Sequence, residues 1–135
     1  MLAQWKRTIG AACLGLAGVV CLGGCPSARS PAISPEARAR AESVWRERCI
    51  SCHGAFGRGD GLGSRFLGVA PRDFGHPGWQ ATVTDDRIAR VIVDGGAVVG
   101  LSPLMPGNAD LQSEPEVVAA LVEAIRAMGR EPAPR

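Results

Sequence analysis

Cys49-Ile50-Ser51-Cys52-His53 constrains this chain more than any other stretch of it. Two thiols separated by two residues can each add across one vinyl group of a haem, and the adjacent histidine can then ligate the iron through its imidazole. This is the attachment spacing of a c-type haem. A haem held by two thioether bonds cannot dissociate, which suits a small protein that moves electrons. Other readings compete for the same residues. A thioredoxin-like redox pair needs a βαβ setting, and no such pattern surrounds the motif. A zinc site needs four ligands. Beyond the N-terminal apolar stretch there is no second cysteine pair, and the only other histidine is His76. A purely structural role for the two cysteines is the remaining alternative.

The N-terminal stretch reads as an export signal. Lys6 and Arg7 precede an apolar, Gly/Ala-rich run from Ile9 to Leu22, which closes with Leu22-Gly23-Gly24-Cys25. This layout is too short for a comfortable membrane span. Its ending resembles the lipobox of bacterial lipoproteins, where small residues precede a cysteine that is acylated and becomes the mature N-terminus. That resemblance implies lipidation at Cys25 and anchoring to a bacterial membrane on the periplasmic side. An ordinary cleaved signal with Cys25 incidental, or an uncleaved anchor, are the alternatives. Cys13 and Cys21 lie inside the apolar run and read as small hydrophobes. The expected organisation is a signal peptide over 1–24, a flexible tether over 25–33, one domain over 34–130 and a tail over 131–135.

Charge and composition exclude one class of partner. All 13 acidic residues follow Cys25, and of the 15 basic residues only Lys6 and Arg7 precede it. The processed chain is therefore near neutral, and two haem propionates would make it slightly acidic. No basic patch with interleaved aromatics is present, so nothing points to nucleic acid. Three Trp, three Phe and no Tyr offer a modest core, to which a haem would add a large buried apolar surface. Acylation of Cys25 and attachment through Cys49 and Cys52 would leave no thiol of the processed chain over.

Helical signals recur along the domain. Pro26–Ile33 is small, polar and proline-containing, as a tether is. Ser34-Pro35-Glu36 predicts a helix start: a capping serine, proline at the first helical position and an acid in the first turn. Ala37, Ala41, Val44, Trp45 and Cys49 then form one apolar stripe, opposite Arg38, Arg40, Glu42, Arg46 and Glu47. Residues 54–68 are glycine-rich. A phosphate loop would need Gly-Lys-Ser/Thr after a strand, and both are missing; the stretch reads as a loop passing close to a flat ring. Pro71–Phe74 and Pro77-Gly78-Trp79 read as further irregular wrapping. A second helix starts at Thr84, carries Ile88, Val91 and Ile92 inward and ends at Gly95-Gly96. A third starts with a capping box from Ser113 to Glu116, buries Val117, Leu121, Val122, Ile125 and Met128, and stops at Gly129. No alternating strand pattern, internal repeat or second haem motif is found.

The sixth position on a haem iron needs its own donor. Met105 lies in Leu101-Ser102-Pro103-Leu104-Met105-Pro106-Gly107, where flanking prolines reduce the entropy of holding a sulfur in place. Met128 falls on the apolar face of the last helix, where core packing is the expected role. His76 reads as a loop histidine. With Met105 the pair is His/Met, which raises the potential relative to two histidines. The alternative for Met105 is a loop hydrophobe packed on the ring edge.

The motif, the loop methionine and the helix order together resemble a class I cytochrome c over about Ser34–Arg130. The segment Cys52-His53-Gly54 followed by Gly59-Asp60-Gly61 is similar to bacterial members. The resemblance implies an all-α cytochrome c fold, three to four helices with irregular loops wrapped around one covalent haem c. It implies covalent attachment at Cys49 and Cys52, iron ligation by His53 and Met105, and a proline carbonyl, best matched by Pro71, against the His53 imidazole. Arg72 and Trp79 are candidate propionate contacts, with a solvated arginine and a core tryptophan as the plainer readings. The expected function is a monohaem electron carrier and not an enzyme, working with membrane-associated redox partners and needing no small-molecule substrate. A haem subunit of a larger oxidoreductase, or a small peroxidase or gas sensor, are the alternatives. The last two would need an open sixth site.

Overall fold

Ser34 opens the first helix as its sequence predicts. Its Oγ accepts a hydrogen bond from the Ala37 N–H at 3.2 Å, and Pro35 takes the first helical position. The computed structural model describes residues 32–130. The expected signal segment 1–24, the lipidation site Cys25, the tether up to residue 31 and the tail 131–135 lie outside the described residues. Helix α1 spans Pro35–Val44. One π-helical turn, Trp45–Cys49, and a short helix α2, Ile50–His53, continue it in right-handed backbone. The predicted stripe is buried at Ala37, Ala41 and Val44 and half-buried at Trp45 and Cys49.

Pro77-Gly78-Trp79, expected to be irregular, instead open helix α3 (Pro77–Thr82). Its cap is His76, whose Nδ1 accepts from the Trp79 N–H at 3.2 Å. A histidine rarely reads as a cap, because Ser, Thr, Asp and Asn fill most such positions. Helix α4 (Asp85–Val98) begins at Thr84, whose Oγ1 accepts from the Arg87 N–H at 3.1 Å. Asp85 and Asp86 complement its N-terminal dipole, and Ile88 and Ile92 are buried. Gly95 breaks α4 with φ 82°, as expected, but the chain then resumes helical backbone as far as Val98.

Helix α5 (Pro115–Met128) buries a broad face: Val117, Val118, Ala120, Leu121, Val122 and Ile125. Met128 packs against the same core without being fully covered. The predicted capping box does not form. The Ser113 hydroxyl donates to the Asp110 carbonyl at 3.0 Å within a 3-10 turn, Ala109–Ser113. The Glu116 carboxylate instead accepts from the Ser34 hydroxyl at 2.9 Å. A tertiary partner has displaced a local one. Gly129 does follow α5, but with φ −75°; what the position needs is small size, since a Cβ there would meet Gln80 at 2.5 Å.

Both α1 and α4 pack on α5, and Val44, Leu111 and Leu121 are fully buried between them. Arg126 then locks the α3–α4 connection to α5. Its guanidinium donates to the carbonyls of Gln80 and Val83 at 2.8 and 2.7 Å and pairs with Asp85 at 2.7 Å. Among the described residues every regular element is helical and no strand forms, so the class is all-α. No described helix is long and apolar enough to cross a membrane.

Candidate functional site

Cys49, Cys52 and His53 lie on consecutive turns at the C-terminal end of the α1–α2 helix. Helix ends leave carbonyls without partners. Here the glycine-rich loop turns back to supply them: the Gly59 N–H donates to the His53 carbonyl at 2.9 Å and the Gly61 N–H to the Cys52 carbonyl at 3.2 Å. Gly61 cannot be anything larger, because a Cβ there would collide with the carbonyls of Ile50 and Ser51. The 54–61 loop is thus the cap of the motif helix, and glycine is required by that close approach.

The two thiols are free, with no disulfide between them. The Cys49 Sγ–H points back to the Val44 carbonyl at 3.9 Å, and the Cys52 sulfur lies 3.8 Å from the Ser51 hydroxyl. Burial pushes the Cys49 thiol up to about 11, against the pull of the neighbouring Arg48 cation. Redox-active Cys-x-x-Cys pairs work the opposite way, with a thiolate stabilised at a helix N-terminus. These cysteines occupy the C-terminal end, where the helix dipole disfavours an anion, and Cys49 stays a neutral thiol. Nor do Cys49, Cys52 and His53 converge. Among the described residues no three His, Cys, Asp or Glu side chains come together as a metal cluster, which a tetrahedral zinc site would require.

His53 is buried, and its Nδ1 has no hydrogen-bond partner. Burial lowers its pKa, and the main chain of Arg72 partly opposes that shift without reaching hydrogen-bond geometry at Nδ1. The imidazole is therefore neutral at pH 7, the form that ligates metals. The resemblance placed the Pro71 carbonyl against this ring. The main-chain neighbour is one residue further on, at Arg72, while the Pro71 carbonyl faces Gly59, where a Cβ would meet it at 2.5 Å.

An aromatic cluster surrounds the histidine. Phe74 stacks on it with ring centres 4.7 Å apart and planes 16° from parallel. Trp45 lies 6.4 Å away on a tilted plane, and Trp79 packs against Phe74 at 5.3 Å. Trp79 is partly buried against the core and Arg72 is exposed. Phe74 is the residue that sequence reasoning passed over. Its one local signal was being a lone aromatic among glycine, proline and charge in 71–78.

Met105 is positioned separately. The loop carrying it lies on the break in α4, where the Gly96 N–H donates to the Met105 carbonyl at 2.9 Å. A Cβ on Gly95 would meet Gly107 N at 2.6 Å and Met105 O at 3.0 Å, so the two glycines let this loop sit directly on the helix. The Met105 side chain is half-buried.

The donor chemistry suits a large apolar ring with an iron centre. It comprises a neutral half-buried thiol, a second cysteine, a neutral imidazole and, on a separate loop, a thioether. The exposed large apolar side chains fall in the same two segments: Phe56, Leu62, Phe66 and Val69 after the motif, and Val98, Leu101 and Leu104 before Met105. Leu62 and Phe66, the two ends of a 3-10 turn over Leu62–Phe66, are 74% and 87% exposed, a contiguous apolar exposure that usually marks a contact site. No family model, curated protein or solved structure matches this chain.

Proposed function

We propose that this chain is a monohaem c-type electron-transfer protein with a class I cytochrome c fold. One observation carries the reading: the Cys49-x-x-Cys52-His53 string occupies the capped end of one helix, with a buried, neutral histidine and a Cys49 that is an un-ionised thiol. Cys49 and Cys52 would hold the haem through thioether bonds, His53 would be one axial ligand and Met105 the other. A haem bound in this way supplies a one-electron Fe(III)/Fe(II) couple. The protein residues contribute neutrality and apolar cover. Neither axial donor would carry charge, and the segments at 56–69 and 98–105 present apolar side chains that would exclude water from a ring. Electron transfer asks for no general acid or base, and no proton needs to move at these residues. Acylation at Cys25 would tether the domain to a bacterial membrane on its periplasmic side, raising its effective concentration toward membrane-bound redox partners.

Absorption spectroscopy of the oxidised protein tests the axial pair. The weak far-red band of thioether-to-iron charge transfer is expected in wild type and lost in Met105→Ala. A wild-type spectrum without that band, together with rapid binding of added imidazole, would assign the sixth site to something other than Met105.

A further inference from the structure

The histidine of the motif is held by more than its place on the helix. Its ring is nearly parallel to that of Phe74, at 4.7 Å and 16°, within the distance range of offset-stacked aromatic pairs. Phe74 is in turn immobilised. It is buried, its N–H donates to the Gly57 carbonyl at 2.8 Å, and its carbonyl accepts from Gln80 Nε2 at 2.7 Å. Gln80 is fixed on two further sides. Its Nε2 also donates to the Ile125 carbonyl at 3.0 Å, and its Oε1 accepts from Arg126 at 3.0 Å. Trp79 and Trp45 pack against the Phe74 ring at 5.3 and 6.2 Å. A chain of fixed contacts therefore runs from α5 through Gln80 and Phe74 to the plane of the His53 ring. Trp45 meets His53 on a plane tilted by 38°, and the Arg72 main chain, the ring's other neighbour, does not reach hydrogen-bond geometry at Nδ1.

The geometry points to Phe74 as a positioning residue that sets the plane of the His53 imidazole, beside the main chain of Arg72 that approaches the same ring. This inference rests on the proposed haem ligation by His53. A merely structural role would make Phe74 replaceable by any apolar side chain of similar volume, at some cost in stability alone. A positioning role requires the flat face.

The test uses the full-length, haem-loaded protein. In the ferric state, the order and spread of the haem methyl proton shifts and the anisotropy of the electron paramagnetic resonance g-values both report the orientation of the axial imidazole. Phe74→Leu is expected to change the methyl shift order and the g-values, while Phe74→Tyr, which keeps the face, retains the wild-type pattern. Wild-type signatures in Phe74→Leu overturn the inference and leave the electron-carrier reading standing. Should Phe74→Leu fail to fold, the reduced wild-type protein decides. Nuclear Overhauser contacts between the ring protons of His53 and Phe74 are expected, and their absence overturns the inference. A wild-type protein that carries no covalent haem overturns the proposed function and this inference together.

Discussion

His53 is neutral because the fold keeps water from it, and that has a consequence for stability. Its pKa is lowered from 6.5 chiefly by burial. As pH falls through that value, the unfolded chain takes up a proton that the folded chain refuses, so stability is full above pH 6.5 and declines below it. Urea unfolding of the haem-free chain, in which no iron holds the imidazole, should therefore show a lower midpoint at pH 5.5 than at pH 7.5; a flat profile would contradict the burial. Asp110 and Glu123 are held below their ordinary 3.8 and 4.5 by Arg48 and Arg38, and they titrate beneath this window. Single residues also show where sequence reasoning succeeds. Ser34 and Thr84 were legible as caps because a side chain bonding its own backbone three residues on is a local event. His76 does the same job with a ring nitrogen, and nothing in Gly75-His76-Pro77 distinguishes it from a loop histidine. Phe74 was illegible for a different reason: its stacking on His53 joins residues 21 positions apart through a turn with no regular pattern.

The elements depend on a few contacts that differ widely in worth. The motif helix is closed by the glycine loop, and Gly61→Ala would force a methyl against the carbonyls of Ile50 and Ser51. The expected cost is about 1–3 kcal/mol, read as a lower melting temperature, with reduced haem incorporation because the helix end is displaced. Arg126→Ala removes the partners of the Gln80 and Val83 carbonyls in a part-buried setting, and should cost about 1–3 kcal/mol. Arg38→Ala breaks a 2.9 Å pair with Glu123 whose side chains are both about half exposed; it should cost less than about 1 kcal/mol. Equal losses in the two arginine variants, measured by chemical denaturation, would contradict the distinction. Element starts and stops were largely readable: α1 from Ser34, α4 from Thr84, and the break at Gly95. The start of α5 was not. Ser113 and Glu116 have the spacing of a capping box, but Glu116 bonds a serine 82 positions away, and no local pattern encodes that competition. The helix over Pro77–Thr82 was missed because only six residues form it, too few for periodicity to register.

At the largest scale, helices α1, α4 and α5 pack around one small core among the described residues, and the two segments expected to face a haem carry the exposed apolar side chains. The all-α class was legible because the apolar stripes repeat at helical spacing and no alternation competes. The candidate site was legible in part. Cys49, Cys52 and His53 are neighbours in sequence and remain neighbours on the helix. Met105 was picked out by its flanking prolines, and the fold adds its seat on Gly95 and Gly96. The main chain beside the His53 ring is that of Arg72, while the Pro71 carbonyl lies over Gly59. The central claim is covalent attachment of one haem through Cys49 and Cys52. Intact-mass analysis of the protein, exported in a bacterium that attaches c-type haem and then denatured, tests it most directly. One haem retained after acidic organic extraction is predicted, with attachment failing in the Cys49→Ala/Cys52→Ala double variant. An unmodified mass with two alkylatable thiols at Cys49 and Cys52 would contradict the account.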